Sequence, residues 1–166
     1  YGADILRLWV AQSDYSTDLR IGPEILKGVS DSYRRIRNTM RFLLGSLTDF
    51  EKETEEISTD NMPELERWIL SKVAELDSIV RNGYNEYSFQ FVFQQLFQFC
   101  TMDLSSFYFD IRKDTLYCDS KNSHTRKACR TVLDILFTRL TTWLAPILAF
   151  TTEEVWYERF KDKATS

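Results

Sequence analysis

Apolar residues recur at steps of three and four along most of this 166-residue chain, the spacing of one buried face of an α-helix. The pattern is sustained over four long segments, at residues 23–44, 63–81, 89–111 and 124–145, and over short ones at 4–11 and after 151. Because long amphipathic helices bury their apolar faces against each other, the pattern predicts an all-α, up-and-down helical bundle with short terminal helices.

Breakers and capping residues predict where these helices begin and end. Starts are predicted at Pro23, Pro63, Ser88, Ser123, and Thr151 or Thr152, and ends at Gly45, at Asn82 and Gly83, and at Pro146. The stretch DTLYCDSKNS, residues 114–123, predicts a loop. These positions give the bundle its expected connections.

Two segments lack a helical period. Residues 13–21 alternate apolar and polar at Tyr15, Thr17, Leu19 and Ile21, a weak signal of a strand or extended loop. Residues 46–62 are acidic and polar, which predicts a solvated connector between two long helices. We therefore divide the chain into an opening segment, residues 1–22, and a helical domain, residues 23–166.

Composition narrows the class of protein. Hydrophobic residues make up 43%, and no apolar run reaches the roughly 18 residues of a membrane span. Cys100, Cys118 and Cys129 are far apart and form no CxxC pair, which predicts reduced thiols in a cytosolic protein. The chain opens in mid-pattern without Met, so we expect it to be a piece of a longer polypeptide.

Catalytic and metal-binding patterns are missing from the sequence. His124 is the one histidine, the cysteines lack metal spacing, and the glycines are isolated rather than grouped in a phosphate-binding loop. Glu153 and Glu154 fit the first turn of a helix, where the helix dipole favours carboxylates. We expect no catalytic residue and no metal site.

Basic residues form two clusters in a chain whose formal net charge is −4. On the 23–44 helix, Arg34, Arg37, Asn38 and Arg41 share one side, next to the core face. A second cluster begins the last long helix, with Lys121, Arg126, Lys127 and Arg130. One interpretation is a solvated face, or ion pairs with the acidic connector at residues 51–56; the other is a track for phosphates, which arginine forks match well.

Five stretches resemble class I aminoacyl-tRNA synthetases, most closely the isoleucyl enzymes, with valyl and leucyl enzymes as relatives. They are YGADILRLWVAQSDYSTDLRI, DSYRRIRNTMRFLLG, MPELERWILSKV, FCTMDLSSFYFDIRKDTLY and LAPILAFTTEEVW. The resemblance implies that residues 23–166 are a helical anticodon-binding domain and that residues 1–22 connect it to a preceding catalytic domain. One departure is Leu44-Gly45-Ser46-Leu47, where the family has Leu-Gly/Ala-Asn-Leu.

The resemblance also implies a function. The parent enzyme would join isoleucine to tRNA(Ile) with ATP and magnesium, and many isoleucyl enzymes carry a zinc-binding tail that would follow this chain. The chain itself would hold no catalytic site or cofactor and would bind the anticodon arm as a cytoplasmic monomer, beside the catalytic domain in cis and away from membranes. RNA contact then becomes the favoured role for some of Arg34, Arg37 and Arg41.

Two alternatives stay open. The chain could be the equivalent domain of a valyl or leucyl enzyme, since the residues that favour the isoleucyl enzymes are mainly SDYSTDLRI and FYFDIRKDTLYCDS. A different class of function is a helical scaffold that binds protein partners through its Phe-rich surface. Retardation by tRNA in a gel distinguishes RNA binding from the scaffold.

Overall fold

Helices account for nearly all regular structure in the computed structural model, which describes residues 2–13 and 18–163. The α-helices are α1 Ala3–Gln12, α2 Pro23–Ser46, α3 Lys52–Glu55, α4 Glu64–Asn85, α5 Phe89–Gln98, α6 Phe109–Cys118, α7 His124–Leu144 and α8 Ala149–Phe160. A 3-10 turn covers Thr59–Asn61, and a π-helical segment, Phe99–Tyr108, joins α5 to α6. The predicted all-α bundle is confirmed.

Helix α7 lies at the centre of the bundle. It contacts α2, α4, α6 and α8, and its buried residues cover most of its circumference rather than one face. Val132, Leu136 and Leu140, which follow each other at steps of four, are fully buried. Ala128, Leu133, Phe137 and Leu144, on the other sides of α7, are also fully buried. Burial over most of the circumference is expected of a helix that packs against other helices on several sides.

Two glycines do not end helices as the sequence predicted. Gly45 lies inside α2, which continues to Ser46, and Leu47 is the C-cap. The left-handed backbone that ends this region is at Asp49, with φ 59°. Gly83 lies inside α4, and a Cβ added there would collide with the Val92 side chain of α5. Gly83 therefore allows two helices to approach closely.

Other predicted boundaries also shift. The third long segment stays helical through α6 to Cys118, so the predicted loop is wrong for residues 114–118. Helix α8 begins at Ala149, before Thr151, because the Thr151 hydroxyl donates a hydrogen bond to Asp4 instead of capping the helix. The Ser123 cap is confirmed, since its Oγ accepts a hydrogen bond from the Arg126 N–H at 3.3 Å.

The acidic connector is attached to the bundle rather than solvated throughout. Leu47, Phe50 and Met62 are buried, and the backbone N–H of Ile57 donates to the Thr131 hydroxyl at 3.1 Å. Its attachment includes the short helix α3, which contacts α7. The prediction of a solvated connector holds for most of residues 46–62, which are exposed, and is wrong for these anchoring residues, which periodicity alone does not detect.

Helix α1 belongs to the packed bundle although the sequence placed it in the opening segment. Leu8 is fully buried, and α1 contacts α2, α5 and α8. The Asp4 carboxylate accepts hydrogen bonds from the Thr151 N–H at 2.7 Å and the Thr151 hydroxyl at 2.5 Å. Arg7 donates to the Pro146 carbonyl at 2.7 Å. These contacts fix α1 against the turn between α7 and α8.

The opening segment also held the predicted strand or extended loop. Tyr15 and Thr17 lie outside the described residues. Leu19 and Ile21 are exposed and lie on irregular backbone. The domain boundary at residue 22 stays a prediction.

The ion pair between Glu66 and Arg112 lies inside the bundle. Glu66 of α4 is fully buried and accepts two hydrogen bonds from Arg112, from Nε at 3.0 Å and Nη2 at 2.7 Å. The Tyr108 hydroxyl donates a third, at 2.6 Å. These bonds raise the pKa of the Arg112 guanidinium. The carboxylate is thus satisfied by side chains of the π-helical segment and α6, which ties α4 to both.

Candidate nucleic-acid interface

The first basic cluster lies on the solvent side of α2. Arg34, Arg37, Asn38 and Arg41 are all exposed, and their i, i+3, i+4, i+7 spacing places them on one face. At 1.5 Å rise per residue the cluster is about 10 Å long. Lys27, seven residues before Arg34, is also exposed and extends the same face. The sequence analysis did not include Lys27, although its heptad spacing from Arg34 could have identified it. We call this set, with Lys27, the α2 basic face.

The cations of the α2 basic face are largely unpaired. Arg34 is 3.4 Å from Asp31 in an exposed pair, which is a weak interaction. Among residues 2–13 and 18–163, Arg37 and Arg41 have neither an acidic partner nor a side-chain hydrogen bond. Their charge is therefore available to a partner that the bundle does not supply.

The acidic connector does not neutralise this face. Glu55, the connector residue that forms ion pairs in the described structure, approaches α7 instead. Its Oε1 lies 2.6 Å from Arg130 Nη1 and 3.9 Å from Arg126 Nη1. The sequence left open that acids of residues 51–56 form ion pairs with the α2 arginines. Such ion pairs are not present in the described part of the chain.

Arg130 of the second cluster has a structural environment. Its side chain is 4% exposed, and it donates to the Ser46 carbonyl at 3.2 Å and the Thr48 carbonyl at 2.5 Å, besides Glu55. Its guanidinium lies 5.4 Å from the centre of the Phe50 ring. Burial lowers the pKa of this guanidinium, and the Glu55 charge opposes that effect. Arg130 therefore holds the end of α2 and the connector against α7.

All four members of the second cluster, Arg130 included, line an open cavity of about 690 Å³. Lys121 is exposed, Lys127 is half-buried, and the Arg126 side chain is 15% exposed. Gly45 lines the same cavity and follows Arg41 by one helical turn. The structure thus brings the two basic clusters next to each other, at the end of the bundle where α2 and α6 finish and α7 begins.

Tyr117 was missed by the sequence reasoning. It lines the cavity and is 75% exposed, but its position in a predicted loop gave no reason to select it. An exposed aromatic ring beside cations is a surface on which an unpaired base can stack. Sequence patterns carry no signal for such a neighbour, because the cavity forms only when α6 and α7 pack.

The described residues hold no grouping suited to metal chemistry. Within 2–13 and 18–163, no set of three or more His, Cys, Asp and Glu side chains is placed to bind a metal ion. His124 is exposed, and its Nε2 lies 2.6 Å from the Asn61 carbonyl oxygen. In the same part of the chain, no helix has both the length and the apolar character to cross a membrane.

An all-α bundle with a solvated cationic face defines a class of helical domain suited to a polyanionic partner. The chain belongs to the family of anticodon-binding domains of tRNA ligases, whose sequence model matches residues 66–166. It is similar over its whole length, at 64% identity, to an isoleucine–tRNA ligase of Ruegeria pomeroyi. Isoleucine–tRNA ligases of Pelagibacter ubique and Caulobacter vibrioides are 55% and 50% identical over 93% and 97% of the chain.

These relatives are much longer proteins. The chain spans 17% of the length of each of the three. The resemblance to tRNA synthetases predicted from the sequence is confirmed by the family match. The residues that contact RNA stay predictions.

Proposed function

We propose that this chain is the anticodon-binding part of an isoleucine–tRNA ligase and that the α2 basic face contacts the anticodon arm of tRNA(Ile). The observation that carries the proposal is a row of exposed arginines in a member of the anticodon-binding family, in which Arg37 and Arg41 have no acidic partner among the described residues and Arg34 has only the exposed pair with Asp31. Isoleucine is favoured over valine or leucine because the similar proteins are named isoleucine–tRNA ligases.

The chain's part in the reaction is to bind and orient. Arg34, Arg37 and Arg41 present planar guanidinium groups that can donate two hydrogen bonds to a phosphate. Asn38, between them, adds a neutral donor and acceptor. Held along α2, the anticodon arm would be fixed relative to the rest of the ligase. Helix α7 and the Glu66–Arg112 pair connect the helices of the bundle that would carry the arm.

The chemistry of aminoacylation would belong to other parts of the ligase. ATP with magnesium would act in the catalytic domain, adjacent in cis, and zinc in a tail beyond this chain. We propose that the catalytic residues lie in that domain and not in this chain. We further propose that the ligase is a cytoplasmic monomer.

Binding of purified tRNA(Ile), followed by gel retardation and fluorescence anisotropy, tests the proposal. A triple variant, Arg34→Ala/Arg37→Ala/Arg41→Ala, removes the charge of the face. The matched control removes the same charge from exposed cations of α4 and α6, in Arg67→Ala/Arg81→Ala/Lys113→Ala. We expect at least a tenfold loss of affinity for the face variant and less than a threefold loss for the control.

The opposite results identify the alternatives. Equal losses of tRNA affinity in the two triple variants would show that binding depends on the net charge of the chain and not on the α2 basic face. A chain that does not retard tRNA would favour the protein scaffold, for which exposed Phe91, Met102 and Phe107 supply an apolar surface. Tighter binding of tRNA(Val) or tRNA(Leu) than of tRNA(Ile) by the full ligase would favour the corresponding enzyme.

A further inference from the structure

One buried nitrogen of the Arg126 guanidinium has no hydrogen-bond partner, and its side chain borders the cavity at the end of the α2 basic face. Arg126 Nη1 is buried and makes no hydrogen bond, while Nε of the same side chain donates to the Leu116 carbonyl at 3.4 Å. The nearest acid, Glu55, is 3.9 Å from Nη1 and is bound at 2.6 Å by Arg130. Buried donors are nearly always paired in proteins, so an acceptor that reached this nitrogen would be stabilised.

Charge around the cavity favours an acceptor with a single negative charge. Its lining contains four cations, Lys121, Arg126, Lys127 and Arg130, and three acids, Asp49, Glu51 and Glu55. The close pair of Arg130 and Glu55 cancels, which leaves three cations facing two exposed acids. The net charge of the lining is +1, which matches one phosphodiester better than a phosphate dianion.

The position of the cavity connects it to the α2 basic face. Gly45 lies on that face one turn after Arg41, a rise of about 6 Å along the helix. Gly45 is exposed, and nothing lies within 4 Å of a Cβ built on it, so a backbone can pass over α2 at this point. A strand lying along the arginines therefore meets open space at Gly45, where α2 borders the cavity.

We infer that the cavity seats one phosphodiester of a single-stranded RNA segment, with Arg126 and Lys127 as its cationic contacts. Tyr117 on the rim, 75% exposed, is placed to stack on the attached base. The inference rests on the proposed RNA-binding function and adds a discrete site to it. The guanidinium fork of Arg126 supplies the directional contact, and the Lys127 ammonium supplies charge.

The test follows the Nε–H resonance of Arg126 in the 166-residue chain by NMR during two separate titrations. One titrant is a single-stranded RNA oligonucleotide of the anticodon-loop sequence, and the other is inorganic phosphate. We expect the RNA to shift the resonance with the same midpoint as its binding isotherm, and phosphate at equal concentration to leave it unchanged. Shifts with phosphate and not with RNA would overturn the assignment, and so would no shift with either.

Two variants separate the cavity from the α2 basic face. Arg126→Gln should weaken RNA binding about tenfold, which corresponds to roughly 1.4 kcal/mol. Lys127→Ala, at a half-buried position, should weaken it about threefold and serves if Arg126→Gln fails to fold. RNA binding that depends on the α2 arginines while Arg126 stays unshifted would refute the cavity alone. An Arg126 shift that persists undiminished in the α2 triple variant would refute the α2 basic face alone.

Discussion

Removal of Arg112 should be the most damaging single change to an ion pair of the bundle. Arg112→Met keeps the aliphatic stem and removes both N–H donors to Glu66, whose side chain is 0% exposed. Only the Tyr108 hydroxyl would still donate to the carboxylate. Breaking a buried pair by removing one partner typically costs about 3–5 kcal/mol, because a charge is left buried without its partner. For a domain of this size that corresponds to a fall in Tm of roughly 10 °C.

Thermal and urea unfolding followed by circular dichroism measure this loss. The control is Arg81→Met, which breaks an ion pair of similar length, 2.9 Å to Asp77, on a side chain 68% exposed. Exposed pairs contribute about 0–1 kcal/mol, so this variant should unfold close to the parent. The double variant Glu66→Leu/Arg112→Met should recover most of the loss, since no buried charge remains. The reasoning is refuted if Arg112→Met destabilises no more than Arg81→Met.

Two substitutions and one thiol reaction test the packing of the bundle. Gly83→Ala should lower the free energy of unfolding by about 1–3 kcal/mol because the added Cβ meets Val92. Adding Val92→Ala should reverse part of that loss. Unchanged stability of the Gly83→Ala variant would contradict the close approach of α4 and α5. Asp4→Ala should cost about 2–3 kcal/mol by removing acceptors at the start of α8, whereas Glu53→Ala, at an exposed position, should have no effect in the same urea titration. With Ellman's reagent at pH 8, exposed Cys118 should react first, because burial raises the pKa of the other two thiols to about 12. Equal reaction rates for all three thiols would be inconsistent with the burial of Cys100 and Cys129. These two thiols stay protonated in the fold but ionise in the unfolded chain, so their contribution to stability should fall as pH rises above about 9.

Local periodicity was sufficient for the helices and for the α2 basic face. Arg34, Arg37 and Arg41 are exposed because the residues that alternate with them, Ile36 and Met40, are buried. Both properties follow from 3.6 residues per turn, which is written in the sequence. The same rule could not distinguish Gly83 as a packing residue from a helix stop, because the reason lies on a different helix.

Local periodicity could not predict contacts between residues that are far apart in the sequence. Asp4 and Thr151 are 147 residues apart, and their hydrogen bonds made α1 part of the bundle. Arg130 was grouped with exposed cations by its position at the start of α7, yet its partners are the end of α2 and the connector. A basic residue beside an acidic segment gives no sequence signal that distinguishes an internal ion pair from a free cation.

The salt dependence of tRNA binding is the most direct test of the α2 basic face. If Arg34, Arg37 and Arg41 each neutralise a phosphate, log K should fall with log salt at a slope of roughly −2 to −3. Affinity would then fall about 15- to 65-fold between 50 and 200 mM salt. Each single alanine variant should make the slope shallower by about 0.7–0.9, and each lysine variant should retain the parent slope. Melting temperatures should stay within about 2 °C of the parent, since substitutions of exposed side chains have small effects.

The three alanine slopes, measured by anisotropy on one tRNA preparation, decide the matter. The proposed function predicts that Arg34→Ala, Arg37→Ala and Arg41→Ala shift the slope at unchanged melting temperature. Three variants that bind tRNA with the parent's affinity and slope but melt several degrees lower would contradict it, and would make the α2 basic face a part of the fold rather than a surface for RNA.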